Sequence, residues 1–285
     1  MGFNDLKKKS KTAFEKLTTE VTKMVNKSES YKDDRFWRPE QDKAGNAYAV
    51  IRFLAPPEGE DMPWARLFSH GFKGPGGWYI ENSRTTLGEK DPVSEMNTKL
   101  WNSGTESDKD IARNRKRRLN YISNIYIVSD PANPQNEGKV FLYRYGKKIF
   151  DKINEAMQPE FEYETPFNRF DFWAGGNFKW KGRKVAGFVN YDKSEFDSAS
   201  ELFEGNDDQK ETVWKTQYPL TEFTGASNFK SYDELKEKLY SVIGDDIRST
   251  VSTETRAEDT VIDDSESNSD ESGDALSYFE KLANE

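Results

Sequence analysis

The sequence contains no cysteine and only one histidine, His70, among its 285 residues. The absence of cysteine excludes disulfides, thiolate nucleophiles and thiolate zinc sites, and a lone histidine excludes most imidazole-dependent catalysis and multi-histidine metal centres. No apolar run approaches the roughly 20 residues that a membrane-spanning helix needs, and the N-terminus lacks the apolar stretch of a signal peptide. We therefore expect a soluble, intracellular protein without a membrane partner.

Motifs of nucleotide-dependent and metal-dependent enzymes are also missing. There is no G-x-x-x-x-G-K-[ST] loop, no G-x-G-x-x-G and no histidine pair at metal spacing, and the glycines of 74–77 indicate a turn. Adjacent carboxylates, at 33–34 and 207–208, lie in polar contexts rather than at strand ends, where a rigid two-metal site is expected. We expect a protein that is not an enzyme and needs no cofactor, although carboxylate counting leaves a metal-dependent nuclease open.

The charge is distributed unevenly along the chain. The net charge is −9, but residues 1–28 carry +4, residues 29–244 carry −3 and residues 245–285 carry −10. The chain therefore has a basic head, a long body and an acidic tail, and the total charge describes none of them.

The basic head has the spacing of an amphipathic helix. Phe14, Leu17, Val21 and Met24 recur at helical intervals, and a lysine-rich stretch at 7–11 lies just upstream. This pattern favours an arm that docks on an acidic surface or on a neighbouring copy, while a solvated face of a terminal helix is the simpler alternative.

The acidic tail is rich in Asp, Glu, Ser and Thr and has almost nothing apolar before Ala275. Such a segment cannot bury enough apolar surface to offset its ordering entropy, so we expect disorder. Leu276, Phe279 and Leu282 could form an apolar stripe for a partner groove, or they are an incidental hydrophobic terminus.

The body has the pattern of a β-rich domain, because Gly and Pro clusters separate short apolar runs. These features predict a mainly β fold with additional helices, of the α+β class, and an OB-type barrel is the leading candidate for its core. The predicted strands are 48–54, 78–81, 121–128, Val140–Tyr145, 177–181 and 185–189, and the predicted helices are Lys147–Met157 and Tyr232–Ile243.

Basic charge in the body is concentrated where aromatic residues are frequent. Residues 113–118 carry +5, residues 139–152 carry +4 and residues 179–184 carry +4. Lys and Arg neutralise phosphates without reading sequence, and aromatic rings stack on exposed bases, so this combination points to single-stranded nucleic acid. A protein-interaction scaffold, whose aromatic face binds a peptide, is the second hypothesis.

Strand alternation sharpens this prediction but leaves one choice open. Phe141, Tyr143 and Tyr145 share one face of their strand, and Val140 and Leu142 share the other. The aromatic row either faces a cleft or lies inside a strand that is covered by apolar layers on both faces.

Four segments carry a family resemblance. They are NAYAVIRFL at 46–54, HGFK with GWYIE within 70–81, DPANPQNEGKVFLYRYGKKIFDKIN at 130–154 and GFVNYD at 187–192. In this order they resemble the T4-type bacteriophage single-stranded DNA-binding proteins, and the similarity covers roughly residues 42–240.

This resemblance implies an OB-fold core with a small associated subdomain and cooperative, sequence-independent binding of single-stranded DNA in the cytoplasm of an infected bacterium. The protein would coat and protect DNA in phage replication, recombination and repair. By the same resemblance, residues 1–30 would mediate self-association. Residues 31–244 would bind DNA, and about 65–112 of them would form the small subdomain. Residues 245–285 would recruit phage replication and recombination proteins.

The resemblance also assigns residues to DNA binding and self-association. Nine candidate DNA ligands match family positions: Trp78, Lys116, Arg117, Arg118, Tyr121, Tyr143, Arg144, Phe188 and Tyr191. Seven more come from the basic aromatic stretches: Arg113, Arg115, Lys139, Tyr145, Lys147, Lys148 and Lys181. The self-association motif is matched by Lys7, Lys8, Lys9, Ser10 and Lys11, where Lys11 interrupts a Ser/Thr pair.

One departure from the family is large. Other members bind zinc through a histidine, matched here by His70, and three cysteines, whereas this chain has Ser83, Asp91 and Ser94 near those positions. One histidine without thiolates is not a structural zinc site. We expect this member to fold without metal, with apolar or hydrogen-bonded packing in place of the ion.

Overall fold

The computed structural model describes residues 33–244 except 162, 164 and 186. The predicted self-association arm, 1–30, and the predicted acidic tail, 245–285, therefore lie outside the described residues. Within the described part no helix is both long and apolar enough to cross a membrane.

An antiparallel sheet of eight strands forms the centre of the fold. The pairs run in the order β3-β2-β4-β1-β6-β7, while β5 pairs with β4 and β8 pairs with β6. The strands are β1 (Ala47–Phe53), β2 (Ala65–Gly74), β3 (Gly77–Asn82), β4 (Arg118–Ser129), β5 (Val140–Tyr145), β6 (Phe178–Val185), β7 (Phe188–Asn190) and β8 (Glu195–Phe196).

The longest strand, β4, organises this sheet because it pairs with three others. Its first half pairs with β2, from Ser69 opposite Arg118 to Ala65 opposite Ile122, and its second half pairs with β1. Strand β5 pairs with β4 from Tyr121 to Tyr126. Residues from β1, β2 and β5 are thereby brought beside one another through a single strand.

Within residues 33–244 five α-helices accompany the sheet, and four of them begin at a residue whose side chain accepts a backbone N–H of the first turn. Such caps satisfy donors that the helix itself leaves unpaired. The exception, α3, follows β5 directly and begins after Gly146 without a side-chain cap. The helices are α1 (Pro92–Asn102), α2 (Glu106–Asn114), α3 (Lys147–Met157), α4 (Asp207–Lys215) and α5 (Tyr232–Ile243).

Two main hydrophobic cores lie along the sheet. The first is unusually aromatic and is built on β1, β4, β5, β6 and α3, with Phe53, Tyr143 and Trp180 among its buried members. The second packs α1, α2 and α5 against the far halves of β2 and β3, around Phe72 and Tyr79. The helical lobe therefore draws on a segment from the end of the described chain as well as on residues near 65–112.

The predicted α+β class is confirmed, and the structure shows that its sheet is antiparallel. Strand β5 and helices α3 and α5 have the predicted bounds, and β1, β3 and β4 overlap their predictions. Strands β2 and β8 and helices α1, α2 and α4 were not predicted.

Candidate nucleic-acid interface

The aromatic row of β5 faces the first core. Tyr143 and Tyr145 are 5 % and 2 % exposed. The Tyr143 hydroxyl accepts a hydrogen bond from Trp180 Nε1 at 2.7 Å, and the Tyr145 hydroxyl lies 2.9 Å from Ser123 Oγ. Burial raises the pKa of both phenols, because the charged form would be desolvated.

The other face of β5 is covered as well. Leu142 packs with Ile122, Leu220 and Phe229 in a separate hydrophobic cluster. Of the two alternatives that strand alternation left open, the structure therefore shows the strand between two apolar layers. As placed, Tyr143 and Tyr145 support the surface from beneath, and a base could reach their rings only after neighbouring side chains moved.

More accessible rings lie at the edge of this aromatic core. Tyr191, half-buried, contacts Trp180 at 5.5 Å between ring centroids, and Phe188 on β7 is 49 % exposed. Phe150 on α3, also half-buried, stacks on Tyr121 at 3.9 Å. These outer rings are the ones that a base can approach.

Basic side chains from α3 reach the same edge. Lys148 Nζ lies 3.7 Å from Asp192 Oδ1, and Lys152 Nζ donates a hydrogen bond to the Asp192 carbonyl at 3.4 Å. Asp192 directly follows Tyr191, so the start of α3 and the end of β7 meet here. Lys147 is largely exposed and pairs with Asp151 on its own helix. Lys152 belongs to the basic stretch 139–152 but was not among the predicted ligands, and the structure brings it to this edge.

The pKa of Asp192 is lowered by the polar and positively charged groups around it. A hydrogen bond from the Asn190 side chain lowers this pKa most, and the positive charges of Lys148 and Arg183 lower it further. The exposed β6–β7 hairpin thus brings a second source of positive charge, Arg183, towards α3. We call this surface, made of Lys147, Lys148, Lys152, Arg183, Phe188 and Tyr191, the basic aromatic edge.

Several predicted ligands lie on the face of their strand that points away from the aromatic core. Trp180 is buried in the core, so Lys181, its neighbour on β6, points to the other face, where its Nζ pairs with Glu195 at 2.7 Å. Arg118 and Tyr121 are separated by an odd number of positions on β4 and likewise face opposite sides. Arg144 faces away from Tyr143 and lies 5.4 Å from the Phe36 ring centroid.

Two further candidates lie away from the basic aromatic edge. Arg113 ends α2, where it pairs with Asp110 and covers Trp101. Arg115 is 9 % exposed and packs against Phe72, so it belongs to the helical lobe, and burial lowers its pKa.

Lys139 and Trp78 also lie elsewhere. Lys139 precedes β5, six residues and roughly 20 Å of strand from Tyr145. Trp78 lies at the β2–β3 hairpin beside Lys73, near the turn that docks on the end of α5.

The remaining predicted ligands lead from α2 into β4. Lys116 is exposed, while Arg117 and Arg118 are half-buried. Arg117 lies just before β4, with its guanidinium over the ring of Phe68 on β2. Tyr121 is opposite Tyr145, so the face of β4 that carries Tyr121 is continuous with the aromatic core.

The residues that match the family's zinc ligands form a buried hydrogen-bonded cluster. His70 Nδ1 lies 3.0 Å from the Arg115 carbonyl, and His70 Nε2 lies 3.2 Å from Asp91 Oδ1, without the direction of a hydrogen bond. Asp91 also accepts the backbone N–H groups of Val93 and Ser94 and thereby caps α1. The described residues contain no group of three or more side chains that could hold a metal ion.

Asp91 remains ionised in this buried position. Burial alone would raise its pKa, but His70, the Ser94 N–H and the Ser83 hydroxyl favour the carboxylate and lower the pKa to about 2. Protein groups therefore link β2, α1 and the end of α2 at this position.

Comparisons with known proteins identify the family of this chain. A family model described as gp32 DNA binding protein like matches residues 45–243. The single-stranded DNA-binding protein of Enterobacteria phage T4 is 40% identical over 247 residues, which cover 84% of this chain and 80% of that protein. The protein of the same name from Enterobacteria phage T2 is 42% identical over 222 residues, covering 75% and 72% of the two chains.

Proposed function

Because this chain belongs to the gp32-like DNA-binding protein family, we propose that it binds single-stranded DNA without sequence preference. It coats and protects the strand during phage DNA replication, recombination and repair, in the cytoplasm of the infected bacterium. The relatives are named for DNA binding rather than for a reaction, so the proposed role is not catalytic.

The observation that carries this proposal is the basic aromatic edge. Lys148, Lys152 and Tyr191 meet there, and the exposed ring of Phe188 lies on the adjoining hairpin. Cations that follow a phosphate backbone, together with rings that stack on bases, are what binding to a single strand requires. A duplex hides its base faces, so this surface favours unpaired strands.

The buried tyrosines have a supporting role in this mechanism. Tyr143 orients the Trp180 indole by accepting its N–H, and Trp180 in turn contacts Tyr191. The ring of Tyr191 thus packs on Trp180, whose orientation is fixed by its hydrogen bond to Tyr143. A surface that is held in place before DNA arrives loses less conformational entropy on binding.

The uncapped start of α3 supports the same role. Lys147 and Lys148 occupy its first turn, where the helix dipole adds to their positive potential. We assign this turn to phosphate contacts beside the rings of the basic aromatic edge.

Architecture and domain organisation complete the proposal. We propose that the sheet is the wall of an OB-type barrel within a DNA-binding core at 31–244, and that the helical lobe corresponds to the subdomain near 65–112. Residues 1–30 contact the next copy on the strand through Lys7 to Lys11, and the acidic residues of 245–285 compete for the basic surface and recruit replication and recombination proteins. Docking of one copy beside another raises affinity through local concentration.

The proposal is tested by titrating the intrinsic tryptophan fluorescence of the full chain with poly(dT) at two salt concentrations. We expect quenching, with log affinity falling against log salt at a slope of about −0.7 per phosphate neutralised. Association with protein but not with oligonucleotide would contradict the proposal and favour an interaction scaffold.

Phe188→Ala tests the basic aromatic edge directly. Loss of a stacking ring should weaken binding to a short oligonucleotide by about 1–3 kcal/mol. Phe161→Ala is the matched control, because Phe161 is 52 % exposed but follows α3 at its far end, beside Glu160. Equal affinities for the two variants would remove Phe188 from the interface.

A further inference from the structure

Two arginines share one aromatic ring on β2. The guanidinium carbon of Arg66 lies 4.8 Å from the centroid of the Phe68 ring, and that of Arg117 lies 4.2 Å from the same centroid. The two cations are therefore at most about 9 Å apart. Phe68 itself is 8 % exposed, while Arg66 is exposed to solvent.

Each guanidinium gains a cation–π contact from Phe68, which orients it without removing its charge. Arg66 is exposed, and within the part of the chain that the structure describes no carboxylate lies within ion-pair distance of it. The Arg66 guanidinium therefore offers its N–H donors to an anion at this surface.

The position of the two arginines on the sheet indicates which anion they bind. Arg66 is directly opposite Tyr121, and Tyr121 is directly opposite Tyr145, so the three residues form a row on one face across β2, β4 and β5. Neighbouring strands are about 4.8 Å apart, so Arg66 begins only about 10 Å from Tyr145. The positive charge of Arg66 also acts on the Tyr121 phenol, whose pKa is raised by burial and lowered by this arginine.

The row of Arg66, Tyr121 and Tyr145 is continuous with the basic aromatic edge. Tyr121 stacks on Phe150 of α3, and the same helix carries Lys148 and Lys152 to the basic aromatic edge. A strand that leaves this edge and crosses Phe150 arrives at Arg66 and Arg117.

We propose that Arg66 and Arg117, held on the ring of Phe68, form a binding site for a backbone phosphodiester of single-stranded DNA. The site extends the DNA path from α3 across β4 onto β2, and this inference rests on the proposed function. The planar guanidinium forks supply paired N–H donors for phosphate oxygens, and the ring keeps them oriented when no strand is bound.

The test measures the salt dependence of binding by the full chain to an oligo(dT) of about eight nucleotides, within the ~4–16 nucleotides that such a fold covers. Arg66→Gln should reduce the magnitude of the slope of log affinity against log salt by about 0.7, the loss of one neutralised phosphate. At low salt the affinity should fall about tenfold.

Lys99→Gln is the matched control, because Lys99 is exposed on α1 and its loss changes the net charge equally. This control separates a local contact from the general effect of charge, and its slope should equal that of the unmodified protein. Arg66→Lys should restore the slope but only part of the affinity, since lysine keeps the charge without the planar fork.

Phe68→Leu removes the ring while both arginines remain, and it should weaken binding although the total charge is unchanged. Circular dichroism establishes that each variant is folded. If Arg66→Gln has the slope and affinity of Lys99→Gln while the unmodified protein binds, the phosphodiester site is wrong and the proposed function stands. If the unmodified protein fails to bind oligo(dT), the proposed function itself is wrong.

Discussion

A single hydroxyl links the aromatic core to the surface above it. Tyr143 accepts a hydrogen bond from Trp180 Nε1, and both residues are almost fully buried. Tyr143→Ala would remove a ring from a packed core, at a cost of about 3–5 kcal/mol in the free energy of unfolding. That substitution therefore changes stability together with any DNA contact, and a smaller change is more informative.

Tyr143→Phe is that smaller change. It leaves the Trp180 N–H buried without its acceptor, and we expect a loss of about 1–3 kcal/mol in the free energy of unfolding, measured with urea. Because Tyr143 supports the surface from beneath, affinity for a short oligonucleotide should change by less than about threefold. Tyr163→Phe is the control, since Tyr163 is 81 % exposed and should lose almost nothing. Unchanged stability of Tyr143→Phe would contradict this supporting role.

The buried carboxylate at position 91 gives a second prediction at the scale of one residue. Asp91 caps α1 and lies beside buried His70, so Asp91→Asn removes the charge while it keeps a capping side chain. We expect the free energy of unfolding to fall by about 1.5–3 kcal/mol, because the charge-assisted hydrogen bonds that the buried carboxylate accepts from the Val93 and Ser94 N–H groups are weakened.

Asp110→Asn provides the comparison for this measurement. Asp110 is an exposed carboxylate paired with Arg113 on α2, and its loss should cost at most about 1 kcal/mol. Equal urea midpoints for the two variants would show that the His70–Asp91 cluster does not stabilise the helical lobe.

Among the secondary-structure elements, those with regular hydrophobic spacing were predictable from sequence. Strand β5 and helices α3 and α5 have the predicted bounds because alternation or helical periodicity runs through their whole length. Strand β2 was missed because Ser69, His70 and Gly71 interrupt its apolar pattern, and only pairing with β3 and β4 makes it a strand.

The site was predictable in composition but only partly in arrangement. Alternation places Phe141, Tyr143 and Tyr145 on one face, yet it cannot tell which layers cover that face. Arg66 carries no local signal, because its proposed role depends on Phe68 in the unpredicted strand β2 and on Arg117, which precedes β4.

The turn between β2 and β3 docks on the end of α5 through glycines. The Gly76 N–H donates to the Val242 carbonyl at 2.8 Å, and a Cβ at Gly76 would lie 1.8 Å from the Ser241 carbonyl oxygen. Gly76→Ala should therefore separate the hairpin from the helix and lower the free energy of unfolding by about 1–3 kcal/mol.

Gly225→Ala is the matched control for urea unfolding of Gly76→Ala. A Cβ at Gly225 would meet nothing closer than 3.6 Å, so that substitution should be neutral or slightly stabilising. If both alanine variants unfold at the same urea concentration, the close approach of hairpin and helix contributes nothing to stability.

At the scale of the whole molecule, charge divides the chain into parts with different proposed roles. Removing residues 1–12 deletes four lysines and one aspartate. We expect loss of cooperativity on poly(dT) but nearly unchanged affinity for a short oligonucleotide, because contact between copies acts by raising local concentration. Replacing Lys16, Lys23 and Lys27 by Gln removes the same net charge and should leave cooperativity intact. A large loss of affinity for the short oligonucleotide on deletion would assign the head to DNA binding instead.

The acidic tail gives the last prediction. Residues 245–285 carry −10, so a chain that ends at Gly244 has a net charge of +1 instead of −9. A polyanionic ligand is then no longer repelled by the tail, and the basic surface has no internal competitor. Truncation should therefore tighten binding to single-stranded DNA, most strongly at low salt, because screening weakens the competition when salt is high.

One further variant separates the effect of the tail's charge from the effect of its length. A full-length chain in which the tail's Asp and Glu residues are replaced by Asn and Gln keeps the length but loses the negative charge. If competition is electrostatic, this variant should bind oligo(dT) as tightly as the truncated chain, and the difference between both variants and the unmodified protein should shrink as salt is raised. Weaker binding by the truncated chain would contradict a competing tail, because it would mean that the tail contributes to the interface with DNA.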